Sequence, residues 1–239
     1  MKVLILNSGV GTRMGDETTN HPKCMTKIDC EDTILSRQLK LLKKNNLCDI
    51  VITTGPFEKQ LIDYCNSLEL GLNITFINNP KYLNTNYIYS IFRAKEELMD
   101  DDLILMHGDL VFTDEVLKSV ISSRKSVMTT SSTIKLPEKD FKAVIKDKKI
   151  VKVGIEFFDS AMACQPLYKL KKKDWMLWLE NIIHFINHGQ NKCYAENAFN
   201  EISDKTNIYP LDIKDLLCGE IDNLEDLEAM KERLKKLNN

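Results

Sequence analysis

The chain opens on KVLILN (2–7), an apolar run that ends directly in SGVGTRMG (8–15). An unbroken apolar run stopped by glycines reads as a buried parallel strand feeding a tight turn, which commits this end of the chain to an α/β fold. Glycines permit unusual dihedrals and let backbone N–H groups approach an anion, and the helix start expected next adds positive potential. The spacing Gly9-x-Gly11-x-x-x-Gly15 puts the third glycine one residue late for a dinucleotide fingerprint, and no Gly-Lys-Ser/Thr follows for a P-loop. Arg13 inside the loop and Lys23 after Pro22 are two cations near a nest of amides, an arrangement that suits a triphosphate better than a bare turn.

Runs of the same kind recur at 49–54, 73–78 and 103–107, each after a helical segment. Residues 33–46 put Leu35, Leu39 and Leu42 on one face with Lys40, Lys43 and Lys44 opposite, and 57–70 and 86–98 also read as helices. The alternation predicts βαβ units, hence a single Rossmann-like α/β domain spanning 1–239 with a mixed, mostly parallel central sheet. Past about residue 125 the rhythm changes. Segments 126–134, 143–157 (folded about Asp147-Lys148-Lys149) and 163–170 read as a small β-rich insertion. Trp175, Trp178, Leu179, Ile182, Ile183 and Ile186 then fall at helical spacing up to Gly189, and both tryptophans read as core. An amphipathic helix over 223–237 closes the chain.

With 33 Lys+Arg against 35 Asp+Glu in 239 residues, the chain lacks the basic excess of a nucleic-acid binder. No apolar run approaches the ~20 residues that cross a bilayer, and no signal-peptide pattern is present. Seven cysteines, scattered and free of any C-x-x-C pair, read as reduced thiols. The expectation is a cytoplasmic protein that touches neither membrane nor nucleic acid; oligomeric state is left open. His184 and His188 lie four apart without a zinc pattern, and Lys169–Lys173 reads as a solvated basic run.

NSGVGTRMG followed by HPKCM (21–25) resembles the signature of nucleotidyltransferases that activate sugar phosphates or small phospho-compounds. Within that superfamily INNPKYLNTNYIYSIFRAKEEL (77–98), HGDLVF (107–112) and GEIDNLEDL (219–227) resemble the cytidylyltransferases acting on phosphocholine and 2-aminoethylphosphonate. The resemblance implies CMP transfer from CTP to a small amine-bearing phosphonate or phosphate, with 1–125 as the nucleotide-binding half and 126–239 as the acceptor-binding half. It puts Gly9, Gly11 and Thr12 at the nucleotide, Arg13 on the β- and γ-phosphates and Lys23 on the α-phosphate, with Leu6, Asn7 and Ser8 beside the base. Asn7-Ser8 replaces the usual Ala-Ala-Gly or Ala-Gly-Gly start. It also implies Mg²⁺ on Asp109 and Asp222 with Glu220 as helper, and Thr85 and Asn86 against both substrates.

On the residues alone, Asp109 could cap a helix near Thr113, Asp222 could be an N-cap, and Asn86 could be an ordinary cap. Acceptor candidates are Asn86, Tyr87, Gln165, Tyr194, Glu196 and Asn197, with Tyr82 weaker and Trp175 if it is not core. A quaternary ammonium wants aromatic faces and a primary one wants carboxylates. No box of several aromatics is visible, which favours 2-aminoethylphosphonate over phosphocholine. The alternatives are a sugar-1-phosphate nucleotidylyltransferase and a non-catalytic nucleotide-binding subunit.

Overall fold

Lys2–Leu6 (β1) lies inside a sheet, with Asp49–Thr54 (β2) parallel to it on one side and Leu103–His107 (β4) parallel to it on the other. Asn73–Asn78 (β3) continues beyond β2 in the same direction. The structure, a computed structural model, describes residues 1–99 and 101–237. Ala161–Leu170 (β9) pairs antiparallel with both β4 and Ser126–Ser131 (β6), and Ile208–Asp212 (β10) runs parallel to β6 at the far edge. The order is β10-β6-β9-β4-β1-β2-β3, a mixed sheet in which β9 is the one reversed strand of that path among the described residues. Pro210 sits in edge strand β10, a position where its missing N–H is tolerated.

Lys142–Lys146 (β7) and Lys149–Gly154 (β8) form a hairpin attached to β9. Its turn places Asp147 and Lys148 at φ of 49° and 66°, the left-handed pair that a two-residue hairpin requires. Two three-residue strands too short to read from pattern, Leu110–Phe112 (β5) and Cys218–Glu220 (β11), pair antiparallel and tie the end of β4 to the C-terminal segment.

Helices cover both faces. Ile34–Lys44 (α1), Glu58–Ser67 (α2) and Asp114–Ser122 (α4) bury Leu35, Leu39, Leu42, Leu61 and Val116 against one side of the sheet. Thr33 caps α1 by accepting from Ser36 N at 3.0 Å. On the other face Tyr87–Ala94 (α3), Lys172–Asn187 (α5) and Ala195–Asn200 (α6) enclose Trp175, Trp178, Tyr168 and Phe199. Trp175 Nε1 donates to Leu98 O and Trp178 Nε1 to Ala195 O, each at 2.8 Å. Both tryptophans are fully buried, so Trp175 is core, the condition that set it aside as an acceptor candidate. Leu224–Leu237 (α7) packs Leu227, Met230 and Leu234 on Met14, Ile28 and Val111, bracing the glycine loop from outside. No described helix is long and apolar enough to cross a membrane.

Candidate active site

Strand order reverses between β1 and β4, because the chain leaves β1 toward β2 and β3 and returns to β4 on the opposite side. Open α/β sheets bind ligands in the crevice outside such a reversal, at the carboxyl ends of the strands. A cavity of about 450 Å³ opens there. It is lined by Leu6, Asn7, Ser8, Gly9, Gly11, Thr12 and Arg13 after β1, by Lys23, and by His107, Gly108 and Asp109 after β4. Thr85, Asn86, Tyr87, Tyr194, Glu220 and Asp222 complete the wall from the other elements.

The two loops meet at backbone contact. Gly108 N donates to Leu6 O at 3.0 Å, and a Cβ on Gly108 would lie 1.6 Å from Asn7 Oδ1. On the other flank a Cβ on Gly55 would lie 2.3 Å from Ser8 O. Asn7-Ser8 is therefore clamped between two glycines, and Asn7 N also donates to Thr53 Oγ1 at 3.1 Å. Replacing Gly108 with alanine is expected to lower stability by about 1–3 kcal/mol as Asn7 is forced aside, measured by denaturant titration. Asn7 Nδ2 and Ser8 Oγ are buried without a protein partner, and both residues line the cavity.

Gly11 takes φ 73° and approaches the Lys23 side chain so closely that a Cβ would sit 3.0 Å from Lys23 Cβ. The helix start expected after the loop is absent: Thr12–Thr18 is a 3₁₀ stretch broken at Gly15, whose φ 58° and ψ −131° are not helical. A broken 3₁₀ turn has little axial dipole, so attraction for an anion rests on Arg13, Lys23 and the loop amides.

Lys23 is the electrostatic centre. Its Nζ pairs with Asp109 and lies 3.2 Å from Asp222 Oδ1, while Arg13 forks onto Asp222 at 2.8 and 2.9 Å. Burial pushes the Lys23 ammonium toward neutrality, but Asp109 and Asp222 more than offset it and its pKa is raised. Burial likewise opposes ionisation of Asp109, and the charges of Lys23 and His107 override it, so its pKa is lowered. Both groups are charged at neutral pH. Asp109 is not a helix cap; Thr113 caps α4. Nor is Asp222: Asn223 Oδ1 accepts from the amides of Glu225 and Asp226, at 2.8 and 3.0 Å, at the start of α7.

His107 Nδ1 lies 2.8 Å from Glu220 Oε1, and whenever Glu220 is ionised it can only accept and the imidazole nitrogen donates. Burial lowers the His107 pKa, yet the Glu220 bond and charge raise it to about 9. Burial and the neighbouring Asp109 raise Glu220 to about 7, against the pull of His107. His107, Asp109 and Glu220 each offer one ligand atom within 4.8 Å of the others.

The sequence shows no aromatic box; the structure brings three aromatic rings together at one cavity wall. Tyr87 at the start of α3, Phe141 before β7 and Tyr194 before α6 line the same end of the cavity. Tyr87 and Tyr194 rings are 5.8 Å apart, Phe141 meets Tyr194 edge-on at 5.1 Å, and His107 meets Tyr87 edge-on at 4.9 Å. Tyr82 and Ile155 lie at the rim. Phe141, Lys139 and Asp140 were missed because they sit in a loop without regular pattern. That loop is pinned from below by Lys142, whose buried Nζ donates to Pro137 O at 2.5 Å and Asp140 O at 3.0 Å.

Three acceptor candidates do not reach the cavity wall. Gln165 is buried on β9, where its backbone carbonyl accepts from Thr129 Oγ1 at 2.8 Å. Asn197 is exposed, and its Oδ1 accepts from Tyr194 N at 3.0 Å, so it fixes the backbone of Tyr194. Glu196 is 1% exposed and lies behind Tyr87. Asn86 is the N-cap of α3, accepting from Tyr87 N at 2.7 Å, and Thr85 Oγ1 donates to Lys81 O at 2.9 Å; both have these structural roles and also line the cavity.

The family model described as "Domain of unknown function (DUF6564)" matches residues 20–164. The chain belongs to this family. Among curated proteins, this DUF6564 chain is 27% identical to the choline-phosphate cytidylyltransferase of Streptococcus pneumoniae, over the whole of both chains. It is 26% identical to the CTP:phosphoglutamine cytidylyltransferase of Campylobacter jejuni subsp. jejuni, over 64% of this chain and 62% of that protein. The solved structure of CTP:phosphocholine cytidylyltransferase from Streptococcus pneumoniae superposes with a TM-score of 0.78 at 21% identity, covering 98% of each chain. The fold of this DUF6564 protein is thus the one shared by cytidylyltransferases and sugar-nucleotide pyrophosphorylases.

Proposed function

We propose that this DUF6564 protein is a Mg²⁺-dependent cytidylyltransferase that moves CMP from CTP onto a small acceptor phosphate or phosphonate carrying a cationic nitrogen. The observation that carries the reading is the division of one cavity into a glycine-walled end, where Arg13 and Lys23 pair with Asp109 and Asp222, and an aromatic end. The first suits a triphosphate. The second suits an ammonium, and three aromatic rings suit a quaternary one, so phosphocholine precedes 2-aminoethylphosphonate among acceptors. That reverses the preference drawn from the absence of a visible aromatic box.

An oxygen of the acceptor phosphate attacks the α-phosphorus of CTP. A phosphorus–oxygen bond forms as the bond to the β-phosphate bridge breaks, and the electron pair leaves with pyrophosphate. A phosphate monoester with a second pKa near ~6 is already dianionic at neutral pH, so no side chain must remove a proton. What this chain supplies is position and charge. Arg13 and Lys23 are the cations within reach of the phosphates, and Leu6, Asn7 and Ser8 stand at the wall for the base.

The donor set fits a hard divalent cation. The Lys23 ammonium already occupies the space between Asp109 and Asp222, and Asp109 Oδ1 is buried with no partner. Asp109 and Asp222 would hold Mg²⁺ with Glu220 beside them, and the ion would neutralise phosphate charge when bound. The unpaired state of all seven cysteines and the use of CTP support a cytoplasmic location.

Pyrophosphate release with Mg²⁺ tests the reading across CTP, UTP, ATP and GTP, each paired with phosphocholine, 2-aminoethylphosphonate and glucose-1-phosphate. Turnover confined to CTP with a cationic acceptor is expected. Turnover with the sugar phosphate would move the protein to the sugar nucleotidylyltransferases, and silence throughout would favour a nucleotide-binding subunit.

A further inference from the structure

We propose that Glu196 is a positioning residue that sets the preference of the aromatic cage for a cation, acting through Tyr87. This role rests on the reading of that cage as an ammonium site. Glu196 lies in the first turn of α6, is 1% exposed, and forms no ion pair among the described residues. Its two oxygens are taken separately: Oε2 accepts from the Tyr87 hydroxyl and Oε1 from the Tyr168 hydroxyl at 3.2 Å. Tyr168 stands in the core on β9, so it anchors the carboxylate from behind, and Tyr87 presents its ring to the cavity in front.

Burying a carboxylate is unfavourable: burial raises the Glu196 pKa against the charge of His107 and the Tyr87 and Tyr168 hydroxyls, and packing alone would be served better by an uncharged side chain. Two effects on the cage compensate. The bond to Tyr87 fixes the tilt of that ring against Tyr194 and His107. A phenol donating to a carboxylate also carries more electron density on its ring face, and the carboxylate adds a negative charge one side chain behind it, where water does not screen it. A cation in front of Tyr87 is attracted; a neutral group of the same shape is not.

The test compares kcat/KM for phosphocholine with that for its uncharged carbon isostere, dimethylbutyl phosphate, in the full-length protein and in the Glu196→Gln and Tyr87→Phe variants. Wild type is expected to prefer phosphocholine at least tenfold, the order of one desolvated cation–π contact. Glu196→Gln is expected to cut that ratio about tenfold through KM for phosphocholine, leaving KM for CTP unchanged. Tyr87→Phe keeps the ring, severs its link to Glu196, and is expected to lower the ratio in the same direction; it decides the matter if Glu196→Gln does not fold. A purely structural role would weaken both acceptors equally and leave the ratio as it is, and that result overturns the proposal. No preference in wild type would overturn the cage reading itself, whereas a preference retained by both variants would overturn the role of Glu196 alone.

Discussion

Asp109→Asn is expected to lower kcat about 10²–10³-fold with little change in KM for CTP, the size of effect seen when one preorganised charge-stabilising group is lost. Asparagine keeps the shape of the side chain, so the turn between β4 and β5, held by the Gly108 N bond to Leu6 O, should survive. What disappears is a negative charge that Lys23 and His107 keep ionised despite burial. The site then keeps Asp222 and Glu220 but loses one of the two carboxylates that flank the position of the Lys23 ammonium. The check is initial pyrophosphate release at saturating Mg²⁺. A loss of less than tenfold would remove Asp109 from the metal site.

Lys23→Met should abolish detectable turnover and also expose what the ammonium does for the folded state. Lys23 is 14% exposed, and its partners Asp109 and Asp222 are 18% and 21% exposed. Removing the cation leaves the Asp109 carboxylate without its ammonium and Asp222 with Arg13 alone, a loss of about 2–4 kcal/mol. For a chain of this size that lowers Tm by roughly 5–15 °C. Millimolar Mg²⁺ should recover more of the Tm in the variant than it adds to wild type, because a divalent ion can then take the place of the ammonium without displacing it. Thermal unfolding with and without Mg²⁺ reads this directly. A variant whose Tm ignores Mg²⁺ would show that the carboxylate pair does not hold the ion.

The parts of this molecule that could be read in advance are those in which local pattern and tertiary role coincide. Residues 49–54 and 103–107 are strands at those limits because a strand buried on both faces is mostly apolar, and 73–78, partly buried at the sheet edge, keeps apolar residues at Ile74, Phe76 and Ile77. The hairpin about Asp147-Lys148 was visible because a tight turn needs particular residues. β5 and β11 were not, since three residues carry no period. The glycine-walled end of the cavity was legible because Asn7 through Arg13 is contiguous in the chain. The aromatic end was not: Tyr87, His107, Phe141 and Tyr194 come from four separate elements, and only the sheet order brings their rings together. Glu196 was identified as an acid of interest without any sign that a tyrosine stands between it and the cavity.

The most direct measurement follows phosphorus by NMR in a mixture of protein, Mg²⁺, CTP and phosphocholine. One equivalent of a CMP-linked pyrophosphate diester of choline should form for each pyrophosphate released, with no free CMP. Release of CMP and pyrophosphate without incorporation of the acceptor would contradict transfer, as would unchanged CTP in the presence of protein that binds it.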